Sequence, residues 1–115
     1  MGVVMYGIRN CDTVKKARAW LESSGIDYAF HDYKTAGIDR ERLETWSREV
    51  GWEALLNRAG TTFRKLDPAE TANLDASKAI SLMMAHPSAI KRPIVTGGGR
   101  LLVGFKPETY AKELP

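Results

Sequence analysis

The feature that most constrains this chain is its opening, where an apolar run is followed by a polar turn and then by a helical pattern. Residues 3–8 (VVMYGI) are rich in β-branched and aromatic side chains, which predicts a buried strand. Val14, Ala17 and Leu21 then recur at helical spacing. The only cysteine of the chain, Cys11, is therefore predicted to lie where a strand passes into the N-terminus of a helix.

Polar residues and a glycine mark the two ends of this helix. Asn10 and Asp12 are both candidates for the N-cap, and Gly25 is the predicted C-terminal stop. Residues 26–33 (IDYAFHDY) are rich in aromatic residues and partly alternate, which predicts a second strand. A strand, a helix and a strand joined by short turns form a βαβ unit, so the two strands should be parallel and the crossover right-handed.

The predicted position of Cys11 favours a reactive thiol. Unpaired N–H groups and the positive end of the helix dipole stabilise a thiolate, and cationic neighbours such as Arg9, Lys15 and Lys16 add to the effect. Such surroundings can lower the pKa of a cysteine from ~8.5 to about 3.5–7.5. The alternative is a small buried apolar residue, since free cysteine is among the most buried residue types.

Composition narrows the class of protein. A length of 115 residues, with 43% hydrophobic and 27% charged residues, predicts one globular domain spanning residues 1–115. The net charge of +3 suits small anionic substrates, but no dense run of Lys and Arg indicates a nucleic-acid surface. A single cysteine fits a reducing compartment, and no apolar stretch reaches the ~18 residues of a membrane span, so we expect a cytoplasmic protein.

The middle of the chain reads as helical. Asp39 is the predicted N-cap of a helix that ends at Gly51, and residues 57–62 read as a polar loop. A third amphipathic helix is predicted over residues 75–85, with Ile80, Met83 and Met84 directed inward.

Neither histidine has a metal-ligand partner in the sequence. His86 is interpreted as a residue at a helix end and His31 as a residue of the second strand. The sequence therefore predicts no metal site.

The last third predicts a β-hairpin and a terminal helix. Residues 93–96 and 100–105 are short apolar runs separated by three glycines. A phosphate loop is the alternative for these glycines, but the lysine and Ser/Thr of a P-loop are missing, so a hairpin turn is favoured. Pro107 opens a helix that runs through Leu114.

The resulting order is β-α-β, a helical insertion at about residues 38–88, and β-β-α. This is the thioredoxin-like arrangement, an α/β fold in which helices cover both faces of a mixed sheet. Pro93 begins the third strand, an allowed position for proline. We expect the Arg92–Pro93 peptide bond to be cis and to lie against Cys11, because the fold brings that strand end beside the cysteine turn.

Several segments together resemble the arsenate reductase (ArsC) family, most closely its YffB branch, with Spx-type transcription regulators as more distant relatives. They are residues 6–17 (YGIRNCDTVKKA), 25–28 (GIDY), 31–34 (HDYK), 52–57 (WEALLN), 61–66 (TTFRKL), 86–87 (HP), 91–95 (KRPIV) and 103–106 (VGFK). The resemblance covers nearly the whole chain and agrees with the thioredoxin-like expectation.

The resemblance also implies site residues. Cys11 matches the family's nucleophilic cysteine, and Arg92 matches the arginine before the cis proline, whose planar fork of donors suits an oxyanion or carboxylate. Arsenate reductases have arginines at the positions of Asn57 and Lys106 in this chain, and Arg58 follows Asn57 by one residue. They have a histidine at the position of Gly7. Point charges in place of forks would hold tetrahedral arsenate less well. The predicted substrate-binding or glutathione-binding set is Arg9, Asn10, Lys15, Arg58, Arg92, Pro93 and Lys106.

These residues favour a glutathione-dependent thiol oxidoreductase with one nucleophilic cysteine. Val14 occupies the position of a resolving cysteine in a Cys-x-x-Cys motif, so glutathione would be the co-substrate that resolves the adduct on Cys11. The expected partners are glutathione, a small anionic or thiol substrate and, from the resemblance, glutaredoxin. The alternatives are an arsenate reductase that uses glutathione and glutaredoxin, and an Spx-like regulator that binds RNA polymerase.

Overall fold

The computed structural model describes residues 2–114, and its regular elements follow the predicted order. They are, in sequence, β1 (Val3–Gly7), α1 (Asp12–Ser23), β2 (Tyr28–Asp32), α2 (Tyr33–Ala36), α3 (Arg40–Val50), α4 (Trp52–Leu55), α5 (Thr61–Arg64), α6 (Pro68–Thr71), α7 (Ala76–Ala85), a 3₁₀ turn (Pro87–Ala89), β3 (Ile94–Gly97), β4 (Arg100–Val103) and α8 (Pro107–Glu113).

The chain divides into two units. The first unit joins the residues up to Ala36 to those from Arg92 onward, and the second is Gly37–Lys91. The expectation that residues 1–115 form one domain with an insertion stays a prediction.

A four-stranded mixed sheet organises the first unit. The strand order is β2-β1-β3-β4, with β1 parallel to β2 and antiparallel to β3, and β3 antiparallel to β4. Gly98 and Gly99 have φ values of 57° and 77°, which is the left-handed region that the hairpin turn requires. The predicted α/β, thioredoxin-like arrangement of β-α-β and β-β-α is therefore confirmed.

The second strand is shorter than the sequence predicted. It ends at Asp32, and Tyr33 begins α2. The Asp32 carboxylate accepts the N–H groups of Lys34 at 2.8 Å and Thr35 at 3.4 Å. This local hydrogen bonding turns the chain immediately after the strand, because aspartate competes well for nearby backbone donors.

The core of the first unit lies between the sheet and the helices α1 and α8. Its buried members are Val3, Met5, Val14, Ala17, Leu21, Val95, Tyr110 and Leu114. The Tyr110 ring stacks edge-on against Trp20 and Phe105, and its hydroxyl donates to the carbonyl of Gly104 at 2.7 Å. Each apolar position of α1 that the spacing predicted is fully buried, so this helix is held by packing.

The second unit is helical, and its two longer helices begin as the sequence predicted. Asp39 caps α3 by accepting the N–H of Arg42, and Asp75 caps α7 by accepting the N–H of Lys78. The predicted polar loop 57–62 is interrupted at Thr61, where the short helix α5 begins.

The inward placement of Met84 was wrong. Met83 is fully buried, whereas Met84 is 37% exposed. Successive residues of a helix point about 100° apart, so Met84 falls beyond the edge of the face that buries Ala79 and Met83.

Among residues 2–114, no helix has the length and apolar character that a membrane crossing needs.

Replacing Leu21 by alanine should lower the free energy of unfolding by about 2–5 kcal/mol, because the side chain is fully buried and its removal leaves a cavity. Lys16→Ala on the same helix is the matched control, since Lys16 is exposed and should change stability by less than ~0.5 kcal/mol. Urea unfolding followed by circular dichroism measures both. Equal losses in the two variants would contradict the packing described for α1.

Candidate active site

Cys11 itself is the N-cap residue of α1. Its backbone is extended (φ −138°, ψ 127°), and its carbonyl accepts the first helical hydrogen bond from the N–H of Lys15 at 2.9 Å. The prediction of Asn10 or Asp12 as the cap was wrong: Asn10 precedes the cap, and Asp12 is the first helical residue. The thiol therefore lies directly at the helix N-terminus, among N–H groups that have no helical partner.

Three donors favour the thiolate form of Cys11. Burial raises the pKa of the thiol and is the largest single influence. The N–H of Val14, the guanidinium of Arg92 and the N–H of Thr13 act in the opposite direction and together outweigh burial, so the pKa lies below its ordinary value. The side chain makes no conventional capping hydrogen bond; a large sulfur atom near two amides is stabilised mainly once it is charged.

Arg92 reaches Cys11 from the other end of the unit's sequence. Its peptide bond to Pro93 is cis, as predicted. The guanidinium both hydrogen-bonds the thiol and acts on it through its charge. Arg92 and Cys11 are about 80 residues apart in the chain, so the first unit's fold brings them together.

Tyr33 adds a buried hydroxyl near this arginine. The side chain is 1% exposed, and its hydroxyl has no hydrogen-bond partner within residues 2–114. Burial raises the pKa of Tyr33 far above its ordinary value, although the positive charge of Arg92 lowers it somewhat. The phenol is therefore neutral at physiological pH.

Asp32 joins the cysteine loop to the end of β2, a role that the sequence analysis missed. One carboxylate oxygen accepts the N–H of Arg9 at 3.1 Å, while the other accepts the N–H groups of Lys34 and Thr35. Burial raises the pKa of Asp32, but these N–H groups and the charge of Arg9 lower it overall. A lowered pKa means that the carboxylate stabilises the fold at neutral pH and that this contribution disappears as the pH falls through the folded pKa. An aspartate at the end of a strand was the available signal.

Two arginines lie over one aromatic ring. The guanidinium carbons of Arg9 and Arg18 are 5.5 and 4.3 Å from the centroid of the Phe30 ring. Arg18 also donates to the Tyr28 hydroxyl at 2.9 Å, which in turn donates to Glu22 at 2.6 Å. Arg9 was a predicted binding residue, whereas Arg18 was missed because its pairing with Phe30 depends on how α1 packs across β2.

Three other predicted binding residues do not act on the thiol electrostatically. Asn10, Lys15 and Lys106 are exposed, and within residues 2–114 none of them is among the groups that shift the pKa of Cys11. Arg58 belongs to the second unit, where its guanidinium carbon is 5.2 Å from the Trp52 ring centroid. In the described part of the chain, no group of His, Cys, Asp and Glu is arranged to hold a metal ion.

Gly7 leaves room for the packing beneath the thiol. A Cβ atom added at this position would lie 2.9 Å from Cγ2 of Val14 and 3.8 Å from Cβ of Arg92. Real Cβ contacts are almost never so short, and Val14 is fully buried. A histidine, which the resemblance places here in arsenate reductases, would therefore require Val14 to move.

Fold and site together define a thioredoxin-like α/β protein with an ionisable cysteine at a helix N-terminus. The profile of the ArsC family matches residues 6–113. The chain therefore belongs to the ArsC family, which confirms the resemblance found in the sequence.

Individual relatives agree with this assignment. A solved structure of a YffB protein is 61% identical, with a TM-score of 0.95 over 98% of this chain and 99% of that one. A solution structure of an arsenate reductase (ArsC) related protein from Brucella melitensis is 57% identical, with a TM-score of 0.78 over 97% and 93%. An uncharacterized protein of Haemophilus influenzae is 41% identical over 94% of this chain and 95% of its own length.

A regulator is also similar at a lower level. The global transcriptional regulator Spx 2 of Bacillus anthracis is 30% identical over 98% of this chain and 87% of its own length.

Replacing Gly7 by alanine should destabilise the protein by about 1–3 kcal/mol, because the new Cβ overlaps the buried Val14 side chain. The double variant Gly7→Ala/Val14→Ala should lose less stability than the sum of the two single variants. Gly2→Ala is the control, since nothing lies within 4 Å of an added Cβ there. Additive losses, measured by urea unfolding, would show that the two residues do not share this space.

Proposed function

We propose that this protein is a thiol oxidoreductase that uses glutathione and works through the single nucleophilic cysteine Cys11. The observation that carries the proposal is the position of Cys11 at the N-cap of α1, where two helix amides and Arg92 favour the thiolate and lower the pKa of the thiol. Because the thiolate is the attacking form, a lowered pKa raises the reactive fraction at neutral pH. Membership of a family that includes arsenate reductase-related proteins supports a role of this kind.

The proposed reaction is two successive thiol–disulfide exchanges. The Cys11 thiolate attacks the glutathione sulfur of a mixed disulfide between glutathione and a substrate thiol; the S–S bond breaks and the substrate leaves as its thiolate. A second glutathione thiolate then attacks the sulfur of the glutathionyl group on Cys11. Cys11 leaves as a thiolate, and oxidised glutathione is formed. Overall, the mixed disulfide and one glutathione thiolate become the substrate thiolate and oxidised glutathione, so the substrate sulfur is reduced while the sulfur of the second glutathione is oxidised.

An external thiol, proposed to be glutathione, has to resolve the adduct because the chain has no second thiol. Cys11 is the only cysteine, and Val14 fills the position of a resolving cysteine with a fully buried side chain. An external thiol is therefore the only source of the second attack.

Cationic groups of the first unit suit the carboxylates of glutathione. The Arg9 and Arg18 guanidiniums share the Phe30 ring, and both can offer forks of N–H donors to a carboxylate. The fork of Arg92 and the backbone beside Pro93 are proposed to bind the part of glutathione next to its sulfur, and Asn10, Lys15 and Lys106 to contribute at the edge. Arg58 remains a proposed contributor from the second unit.

Oxidised glutathione should add one glutathionyl group to the protein. The expected result is a single mass increase on the intact chain that reduced glutathione then removes, because the attacked sulfur is the only thiol. Mass spectrometry of the intact wild type, with Cys11→Ser as the control, measures the adduct. An unmodified wild type would defeat the proposal.

The pKa of the thiol should rise when Arg92 loses its fork or its charge. We expect a rise in Arg92→Ala and a smaller rise in Arg92→Lys, which keeps the charge. The pH dependence of iodoacetamide alkylation measures this pKa. Arg100→Ala is the matched control, since Arg100 pairs with Glu113 on the surface. A wild-type thiol that titrates near ~8.5 would remove the main support of the mechanism.

Arsenate reduction is the second candidate, and the 57% identity to an arsenate reductase (ArsC) related protein favours it. Here Cys11 would attack arsenate held by Arg92, with Arg58 and Lys106 in place of the family's other arginines. The glycine at position 7 counts against this candidate, because the resemblance places a histidine there in arsenate reductases and a Cβ at Gly7 would require Val14 to move. A coupled assay with glutathione and glutaredoxin decides, since absence of arsenate-dependent turnover would end this proposal.

A third candidate is a regulator that binds RNA polymerase, which the similarity to Spx 2 favours. Redox switching through a Cys-x-x-Cys pair is impossible for this chain, because it has one cysteine. Recovery of RNA polymerase in a pulldown would support this candidate, and recovery of none would leave the two enzyme proposals.

A further inference from the structure

Asp32 is a buried carboxylate whose hydrogen bonds span two loops. It is 7% exposed, and each of its two oxygens accepts hydrogen bonds from a different loop. Oδ2 accepts the N–H of Arg9, and Oδ1 accepts the N–H groups of Lys34 and Thr35. Charge-assisted bonds of this kind are stronger than bonds between neutral groups. The carboxylate thus ties the loop after β1 to the turn after β2.

These hydrogen bonds of Asp32 lie close to Cys11 in the chain. Asp32 pairs with Gly7 in the register of β1 and β2, so it lies beside the point where the cysteine loop leaves the sheet. Arg9 is two residues before Cys11, and consecutive Cα atoms are about 3.8 Å apart. Fixing the backbone of Arg9 therefore leaves the chain little freedom before Cys11 begins α1.

Stabilisation of the thiolate depends on small distances. The sulfur is favoured by the N–H groups of Val14 and Thr13 and by the Arg92 guanidinium, which come from two separate parts of the chain. Hydrogen bonds weaken steeply with distance and angle, so the sulfur must be held in one place to meet all three donors. The loop that carries it has no side-chain capping bond of its own.

We propose that Asp32 is a positioning residue for the nucleophile: its bond to the Arg9 N–H holds the cysteine loop so that the Cys11 sulfur meets the α1 amides and Arg92. The inference rests on the proposed function, because it concerns the reactivity of the same thiol. The positive charge that lowers the pKa of Asp32 is that of Arg9, whereas the positive charge that lowers the pKa of Cys11 is that of Arg92.

Position and charge predict opposite effects of removing the carboxylate. If Asp32 acted on the thiol through its negative charge, neutralising it would lower the pKa of Cys11, because a like charge disfavours the thiolate. If Asp32 acts by holding the loop, its loss moves the sulfur away from its donors and raises that pKa. Within residues 2–114, Asp32 is not among the groups that act directly on the thiol, which favours position.

The test is the pH profile of iodoacetamide alkylation in Asp32→Asn. Asparagine has the same size, but only one of its two terminal atoms can accept, so it cannot serve both loops. We expect the pKa of Cys11 to rise by roughly one unit, a tenfold smaller thiolate fraction at low pH. Asp39→Asn is the matched control. It weakens the 2.8 Å hydrogen bond that the Arg42 N–H donates to the Asp39 carboxylate at the N-cap of α3. This change should leave the pKa of Cys11 unchanged.

Each outcome decides the role of Asp32. A raised thiol pKa in Asp32→Asn alone supports positioning, whereas an unchanged or lowered pKa in a folded variant overturns it. Circular dichroism checks the fold, and if Asp32→Asn is unfolded the same titration on Asp32→Ser decides. A wild-type thiol with an ordinary pKa would defeat the proposed function as well, whereas a low wild-type pKa that the variant does not change defeats only the positioning role.

Discussion

The proposed chemistry depends on one balance at the Cys11 sulfur, where burial opposes the thiolate and three donors favour it. Two donors are amides of α1, which any residue at the start of this helix would face. The third is Arg92, which follows the long second unit in the chain. Burial has a larger effect on the pKa than any one donor. The thiolate is therefore favoured only when the start of α1 and Arg92, just before β3, come together. The chemistry of the sulfur is thus a property of the first unit's fold.

The packing around the sulfur is what allows this approach. Gly7 has no side chain, so Val14 and the Cβ of Arg92 can pack close to β1. Asp32 holds the loop above this contact through the N–H of Arg9. A larger residue at position 7 would require Val14 to move, so the absence of a side chain at Gly7 and the packing of Val14 depend on each other.

Much of the fold could be predicted from local sequence. The spacing of Val14, Ala17 and Leu21, the caps Asp39 and Asp75, and the glycine turn of the hairpin each act within a few residues, so their patterns appear directly in the chain. The cis bond before Pro93 followed from the topology those elements define. The exposure of Met84 and the short helix at Thr61 did not follow, because neighbouring elements decide where a buried face ends.

By itself the sequence determined the order of the main elements, the family and the candidate cysteine at the helix N-terminus, since each depends on residue type and spacing. Only the tertiary structure decided which groups act on that cysteine. Arg92 acts on Cys11, whereas Asn10, Lys15 and Lys106 are not among the groups that shift the pKa of its thiol. Arg18 joins Arg9 over Phe30, and Asp32 binds the N–H of Arg9. Electrostatic and hydrogen-bond effects depend on distances of a few ångströms between residues far apart in the chain, and such distances are set by packing.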